Sequence, residues 1–407
     1  MGKNPSVMPA ILFNAQFLSI AVINLFLFLI VATWSFLPVV LVDLGADNVG
    51  VGLVMGSIGI TSLASLPILA PLIDKYGRKI FIVGGILVIG LTNAVFLCFH
   101  SYSPFMILVR LVQGVAFSAC FNGCATAIVD LLRPEERAQG IGLFGVSGSM
   151  AVAVGPFLGE KALLSWGIEA YFLLLVGFGL IGFLAALTMK EAKRTFRHGR
   201  MRGFFPTVFQ DGHLSMMIMA GIFGSGFAAM NTFFPLYAKH LGFRAGIFFV
   251  CYGASLLLVR VTLGGLADRV DRSKLMFACL IGFSLLLVST SQMDSMTQSM
   301  FLGALFGIIQ GLSYPAMMAK MVDRSNAENR AVVVALFTGS FGVGINASVV
   351  IWGFIAKIQG LSFMFLLGGL LMLLTAGVCA WLFFNGFQES RAQFAVLERP
   401  RDPTSIG

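Results

Sequence analysis

Charge is what this chain has least of. Asp, Glu, Lys and Arg make up 11% of its 407 residues, less than half of the roughly 25% found in soluble domains. Apolar residues make up 58% and the mean hydropathy is +0.92. Together these exclude water-soluble enzymes, disordered scaffolds and secreted disulfide modules. Cysteine is sparse as well. Cys98, Cys120, Cys124, Cys251, Cys279 and Cys379 all lie in apolar runs, without zinc spacing, so neither a metal centre nor a disulfide framework is expected. The 4 histidines are scattered, which leaves no convergent His-and-acid set for a membrane-integral enzyme. A Gly-x-x-x-x-Gly-Lys-[Ser/Thr] loop is missing, which excludes a pump driven by ATP. No enzymatic role, cofactor or nucleic-acid partner is expected.

What is abundant is long apolar sequence. A membrane-crossing helix needs roughly 20 apolar residues, and twelve such runs can be placed, near 17–41, 50–70, 80–99, 103–129, 140–162, 170–189, 213–238, 245–266, 275–292, 297–321, 331–356 and 361–384. The first is long enough to be a span rather than a cleaved signal. The expected fold is an all-α membrane protein of twelve transmembrane helices in two pseudo-symmetric six-helix bundles. Its expected parts are a first bundle (1–189), a basic linker (190–212), a second bundle (213–387) and a tail (388–407). The net charge of +9 marks loops rather than nucleic-acid contacts. Of the 27 Lys and Arg, twenty-one fall on one side of the alternating spans; Lys161, Lys239, Arg244 and Lys357 fall on the other, and Arg110 and Arg260 lie inside spans. Basic loops face the cytoplasm, so both termini are expected there, in a cell (inner) membrane, with the chain as a monomer in the bilayer.

The halves repeat. Trp34-Ser-Phe-Leu-Pro38 answers Asn231-Thr-Phe-Phe-Pro235; Asp74-Lys-Tyr-Gly77-Arg78 answers Asp268-Arg269-Val-Asp-Arg272. Gln113-Gly114 answers Gln310-Gly311, and Asp130 to Arg137 answers Asp323 to Arg330. Four matches at nearly constant offset, each in the same topological place, indicate two similar bundles forming one transporter-like body.

These motifs carry a resemblance. The chain resembles the major facilitator superfamily, in particular its twelve-helix drug:proton antiporters, over essentially its whole length. The loop after span 2 is similar to Gly-x-x-x-Asp-Arg-x-Gly-Arg-Arg, with Ala70 for the first Gly and Lys75 for the first Arg. The resemblance implies that Asp74, Gly77 and Arg78, with Asp268, Arg269 and Arg272 in the second copy, latch the cytoplasmic side. In span 4, Arg110-Leu-Val-Gln113-Gly114 matches Arg-x-x-Gln-Gly, a motif linked to proton coupling. In span 5, Gly155, Pro156 and Gly159 follow an antiporter-type kink motif, from which Ala151 and Glu160 depart.

The resemblance further implies a cavity lined by spans 1, 4, 7 and 10, with Asn24, Trp34, Arg110, Gln113, Phe117, Asn231, Gln310 and Tyr314 as candidates. Spans 1, 7 and 11 hold no acidic residue, and the intramembrane charges, Arg110 and Arg260, are both positive. The expected function is a secondary active transporter, a proton-coupled exporter of a small amphipathic organic molecule, anionic or neutral rather than cationic. Uptake by symport, or facilitated diffusion, on the same fold is the alternative. Asp43, Asp130, Glu160 and His100 are the remaining proton-carrier candidates, all peripheral.

Overall fold

The structure, a computed structural model, describes residues 14–133, 136–191, 213–262, 270–323, 325 and 330–397. Most of the basic linker, together with Asp268 and Arg269, lies outside the described residues.

The helices are α1 (Ala15–Asp43), α2 (Asn48–Tyr76), α3 (Arg78–Cys98), α4 (Phe105–Leu131), α5 and α6 (within Arg137–Thr188), α7 (His213–His240), α8 (Ala245–Thr262), α9 (Arg272–Ser291), α10 (Met296–Asp323), α11 (Arg330–Gln359) and α12 (Leu361–Leu397). The stretch Arg137–Thr188 is 52 residues of helix broken at Gly167, whose φ is 85°. Unbroken it would span about 78 Å, far beyond a hydrocarbon core of about 30 Å. It therefore makes two crossings, turning where a residue without Cβ takes the left-handed conformation. α12 runs on to Leu397, past the apolar run, because no proline interrupts it there.

The repeat in the sequence is a repeat in space. α1 packs on α5 as α7 packs on α11, α2 on α4 as α8 on α10, and α3 on α4 as α9 on α10. Even the helix breaks correspond. α1 tightens into a 3-10 turn at Trp34–Phe36 just before Pro38, and α7 widens into a π turn at Ala229–Phe233 just before Pro235. Each proline withholds the N–H that a regular helix needs, so the backbone is irregular at the same depth in both bundles.

Two seams join the bundles, α2 against α11 and α5 against α8. Small residues let the backbones approach. A Cβ on Gly52 would lie 2.8 Å from the Val349 carbonyl oxygen, one on Gly56 2.8 Å from that of Asn346, and one on Gly253 2.3 Å from Ala153 Cα. These contacts cluster near the face that carries few basic residues, termed here the base-poor face.

Candidate functional site

Between the bundles lies a cavity of about 360 Å³, lined by residues that include Phe28, Trp34, Ser35, Met55, Arg110, Phe117, Pro156, Phe227, Asn231, Thr232, Phe249 and Asn346. Its position follows from the helix breaks: Trp34 and Ser35 sit on the 3-10 turn of α1, Asn231 and Thr232 on the π turn of α7. Such turns rotate side chains away from the regular helical stripe and recur at functional sites.

Arg110 dominates the site. It is 1% exposed, and its guanidinium lies over the Trp34 ring at 4.3 Å, a cation–π contact. Nη1 donates to Gln113 Oε1 at 2.8 Å and Nε to the Val54 carbonyl at 3.4 Å. Nη2 reaches only the Met55 thioether, at 4.0 Å. Every one of these partners is neutral. Behind them, buried Asn93 ties the ring of contacts together: its Oδ1 accepts from Trp34 Nε1 at 3.1 Å and from Gln113 Nε2 at 3.5 Å. The arginine is therefore held in place by four helices, and its charge is not neutralised. None of the described residues lining the cavity is acidic.

The expected cavity residues separate into groups. Trp34, Arg110, Phe117 and Asn231 line it. Gln113 stands one layer behind and orients Arg110. Asn24 is bonded to Ser147 Oγ at 2.8 Å, within the α1–α5 packing. Gln310 is buried away from the lining, and Tyr314 sits within 3.4 Å of Thr338 Oγ1, flanked by Phe337 and Phe341. Helices α2, α5, α8 and α11 supply lining residues that the expected set of spans omitted, because closure of both seams turns their faces inward. Asn93 and Asn346 were missed; a polar residue deep in an apolar run is the signal that marks them.

At the base-poor face the two bundles are tied by charge. Lys239 of α7 pairs with Asp43 of α1. Lys357 of α11 pairs with Asp47 at the head of α2 at 2.8 Å. Glu160 of α5, 6% exposed, accepts the backbone N–H groups of Ala245 and Gly246 at the start of α8, close to Arg244. Three of the four bases on this face thus meet acids across the bundle interface, and this end is shut. The Asp47 carboxyl is held below its ordinary value of 3.8, first by Lys357 and then by the Gly50 N–H. A depressed acid favours the closed state at every pH above its ordinary value and loses that contribution as pH falls through the lowered one. Closure, read as the distance between spin labels on Val42→Cys and His240→Cys, is expected to be flat from about pH 5 to 8 and to weaken only below about pH 4; a midpoint near neutrality would contradict this assignment.

At the opposite, base-rich face the charges stay inside each bundle. Arg78 bonds Asp74 at 2.9 Å and Asp130 at 3.0 Å. The Glu191 carboxylate accepts the N–H groups of Arg78 and Lys79, at 2.7 and 3.0 Å, capping α3 beyond Gly77, whose φ is 101°. Arg272 pairs with Asp323, and Asp271 caps α9. Among the described residues no ion pair joins the bundles on this side. In α5, Gly155 and Gly159 admit α1: a Cβ on Gly159 would lie 2.7 Å from Thr33 Cγ2, and Thr33 Oγ1 donates to the Gly155 carbonyl at 3.0 Å.

Two repeated six-helix bundles, a cavity between their helix breaks and one face tied by cross-bundle ion pairs define a membrane transporter. The chain belongs to the major facilitator superfamily: residues 12–261 and 216–405 both match that family. It is a multi-pass secondary transporter. It is 25% identical over 360 residues to the staphylopine export protein of Staphylococcus aureus, covering 83% of this chain and 88% of that one. It is 24% identical over 244 residues to multidrug resistance protein 1 of Bacillus subtilis, covering 58% and 61%. It is 23% identical over 351 residues to the human synaptic vesicular amine transporter, covering 84% and 68%. Among solved structures, the nucleoside transporter NupG superposes with a TM-score of 0.78 at 15% identity, covering 91% of this chain and 99% of that one. A bacterial homologue of the lysosomal transporter Spinster, inward-facing and unoccupied, superposes with a TM-score of 0.70 at 16% identity, covering 93% and 97%.

Proposed function

We propose that this protein is a proton-coupled exporter of small amphipathic organic molecules, anionic or neutral, working by alternating access in the cell membrane. The observation that carries the reading is the buried Arg110, held by neutral partners and facing a mostly apolar cavity. A fixed cation between low-dielectric walls favours an anion, accommodates a neutral lipophile and repels a cation. Aromatic and aliphatic side chains take the apolar body of such a cargo, while Asn231, Thr232 and Asn346 offer hydrogen bonds on the opposite bundle. The vesicular relative is named for amines, which are cations at neutral pH. The cavity of this chain lacks, among its described lining residues, the carboxylate that would draw one in.

The direction of transport is supported by the relatives named for export and multidrug resistance, and antiport by the Gly155-Pro156-Gly159 motif. With the twenty-one-to-four bias of basic residues placing both termini in the cytoplasm, the sealed face is the outer one and the conformation faces inward. In this reading residues 1–189 and 213–387 rock as two bodies about the cavity. The Asp74–Gly77–Arg78 loop, with Asp268, Arg269 and Arg272, shuts the inner face when the outer one opens. The half-exposed Asp74 is then ready to meet the second bundle.

The test is transport into inverted vesicles. Accumulation of cargo is expected only with an imposed proton gradient, and a protonophore should abolish it. Accumulation that follows the cargo gradient alone would make the chain a facilitator instead.

A further inference from the structure

Arg260 is the other charge inside a membrane span, and the cavity does not account for it. Its Nη1 donates to the Ser149 hydroxyl at 2.5 Å and to the Gly145 carbonyl at 3.3 Å, both on α5. Ser149 is buried while Arg260 itself is exposed. The guanidinium therefore sits on the seam between the bundles and not against lipid tails, where a bare charge is strongly disfavoured. Among the described residues no carboxylate lies within ion-pair reach of it.

Its depth is informative. Arg260 is fifteen residues from the start of α8 at the base-poor face, about 22 Å along the helix, whereas Arg110 is five residues into α4, about 8 Å. The Cα positions of the two arginines, one from each bundle, are thus offset by about 15 Å in depth. On α5, Ser149 is three residues, about 4.5 Å, towards the base-rich face from the cavity-lining Val152. Between those depths the cavity wall is neutral and aromatic, with Phe28 and Phe117 on the first bundle and Phe227 on the second.

We propose that Arg260 is a receiving site for the acidic group of the cargo, a second anion-binding position at the base-rich mouth that captures the molecule before it passes down the aromatic sleeve to Arg110. The proposal rests on the reading of the cavity as anion-accepting. A cation at the rim of a low-dielectric cleft focuses the field outward and raises the rate of encounter with an anion. Only Nη1 is engaged with α5, so the remaining N–H groups of the fork are placed to take carboxylate oxygens. Rim charges act mainly on association rate and its salt dependence, which is how such a site is distinguished from a strut holding α8 to α5.

The experiment is stopped-flow tryptophan fluorescence on the full chain in lipid nanodiscs, with Trp34 as the indole beside the site, using 2-naphthoate and its neutral amide as probes. In Arg260→Gln, association of 2-naphthoate at low ionic strength is expected to slow about tenfold and to lose most of its salt dependence. Its dissociation rate and both rates of the amide should be unchanged, and Arg260→Lys should restore most of the association rate. Equal slowing of acid and amide would mean a strut and would overturn the proposal. Unaltered naphthoate association in Arg260→Gln, alongside lost binding in Arg110→Gln, would remove the receiving site and leave the cavity reading intact. Naphthoate binding indifferent to both substitutions would remove both.

Discussion

In Arg110→Gln, the Kd for an amphipathic carboxylate rises about 100-fold while the protein stays folded. Glutamine keeps a hydrogen-bonding head and most of the side-chain volume but removes the charge. The carboxylate then enters a largely apolar cavity without its counter-ion, and removing one partner of a buried charge pair costs about 2–5 kcal/mol. About 2.7 kcal/mol corresponds to the expected hundredfold. Folding changes less, because opposing effects offset. The cation–π contact with Trp34, worth about 0.5–2 kcal/mol, is lost, but so is the cost of burying a guanidinium among neutral partners. Equilibrium binding of 2-naphthoate and thermal unfolding, measured on the same preparations, separate the two. Unaltered affinity with a marked fall in unfolding temperature would make Arg110 a structural residue.

Gly253→Leu should abolish turnover by holding the base-poor face open. A Cβ at this position would lie 2.3 Å from both Cα and Cβ of Ala153 and 2.6 Å from its backbone nitrogen. Backbone cannot rotate aside as a side chain can, so α8 must separate from α5. The separation also breaks the contact of Glu160 with the N–H groups of Ala245 and Gly246 and pulls Lys239 from Asp43. The helices themselves have no need of glycine here, since leucine is a better helix former by about 1 kcal/mol. The protein should therefore insert and fold, but be unable to close. The expected signature is loss of the Asp43→Cys/Lys239→Cys disulfide together with at least a hundredfold fall in transport. A disulfide forming at the unaltered rate would show that the seam is not the moving contact.

How much of this was legible beforehand depends on the kind of signal. Twelve spans, the internal repeat and the family motifs could be read because each depends on local composition or on fixed spacing. The merged α5–α6 stretch, broken at Gly167, agrees with the two spans expected there. The Trp34–Pro38 and Asn231–Pro235 repeat marked the helix breaks that bear cavity residues, although not that one break would tighten and the other widen. Rotation of each helix about its own axis was not legible. Lipid and protein core are equally apolar, so no amphipathic stripe shows which way Gln310 or Asn24 turns. The pairs Asp43–Lys239 and Asp47–Lys357 were hidden for another reason. Their partners lie 196 and 310 residues apart, at helix ends that meet only when the bundles close. Sparse bases on that side were visible in the sequence; their function as a clasp was not. Glu160, a departure from the family pattern, proved to cap the helix of the other bundle.

Selection of cargo by charge in the cavity around Arg110 is open to direct test. The most direct measurement is equilibrium binding to the purified wild-type protein of three ligands sharing one apolar body: 2-naphthoate, 2-naphthamide and a trimethylammonium naphthalene. The carboxylate is expected to bind tightest, the amide less tightly and the cation with no saturable binding. Saturable binding of the cation at or above the affinity of the carboxylate would contradict it.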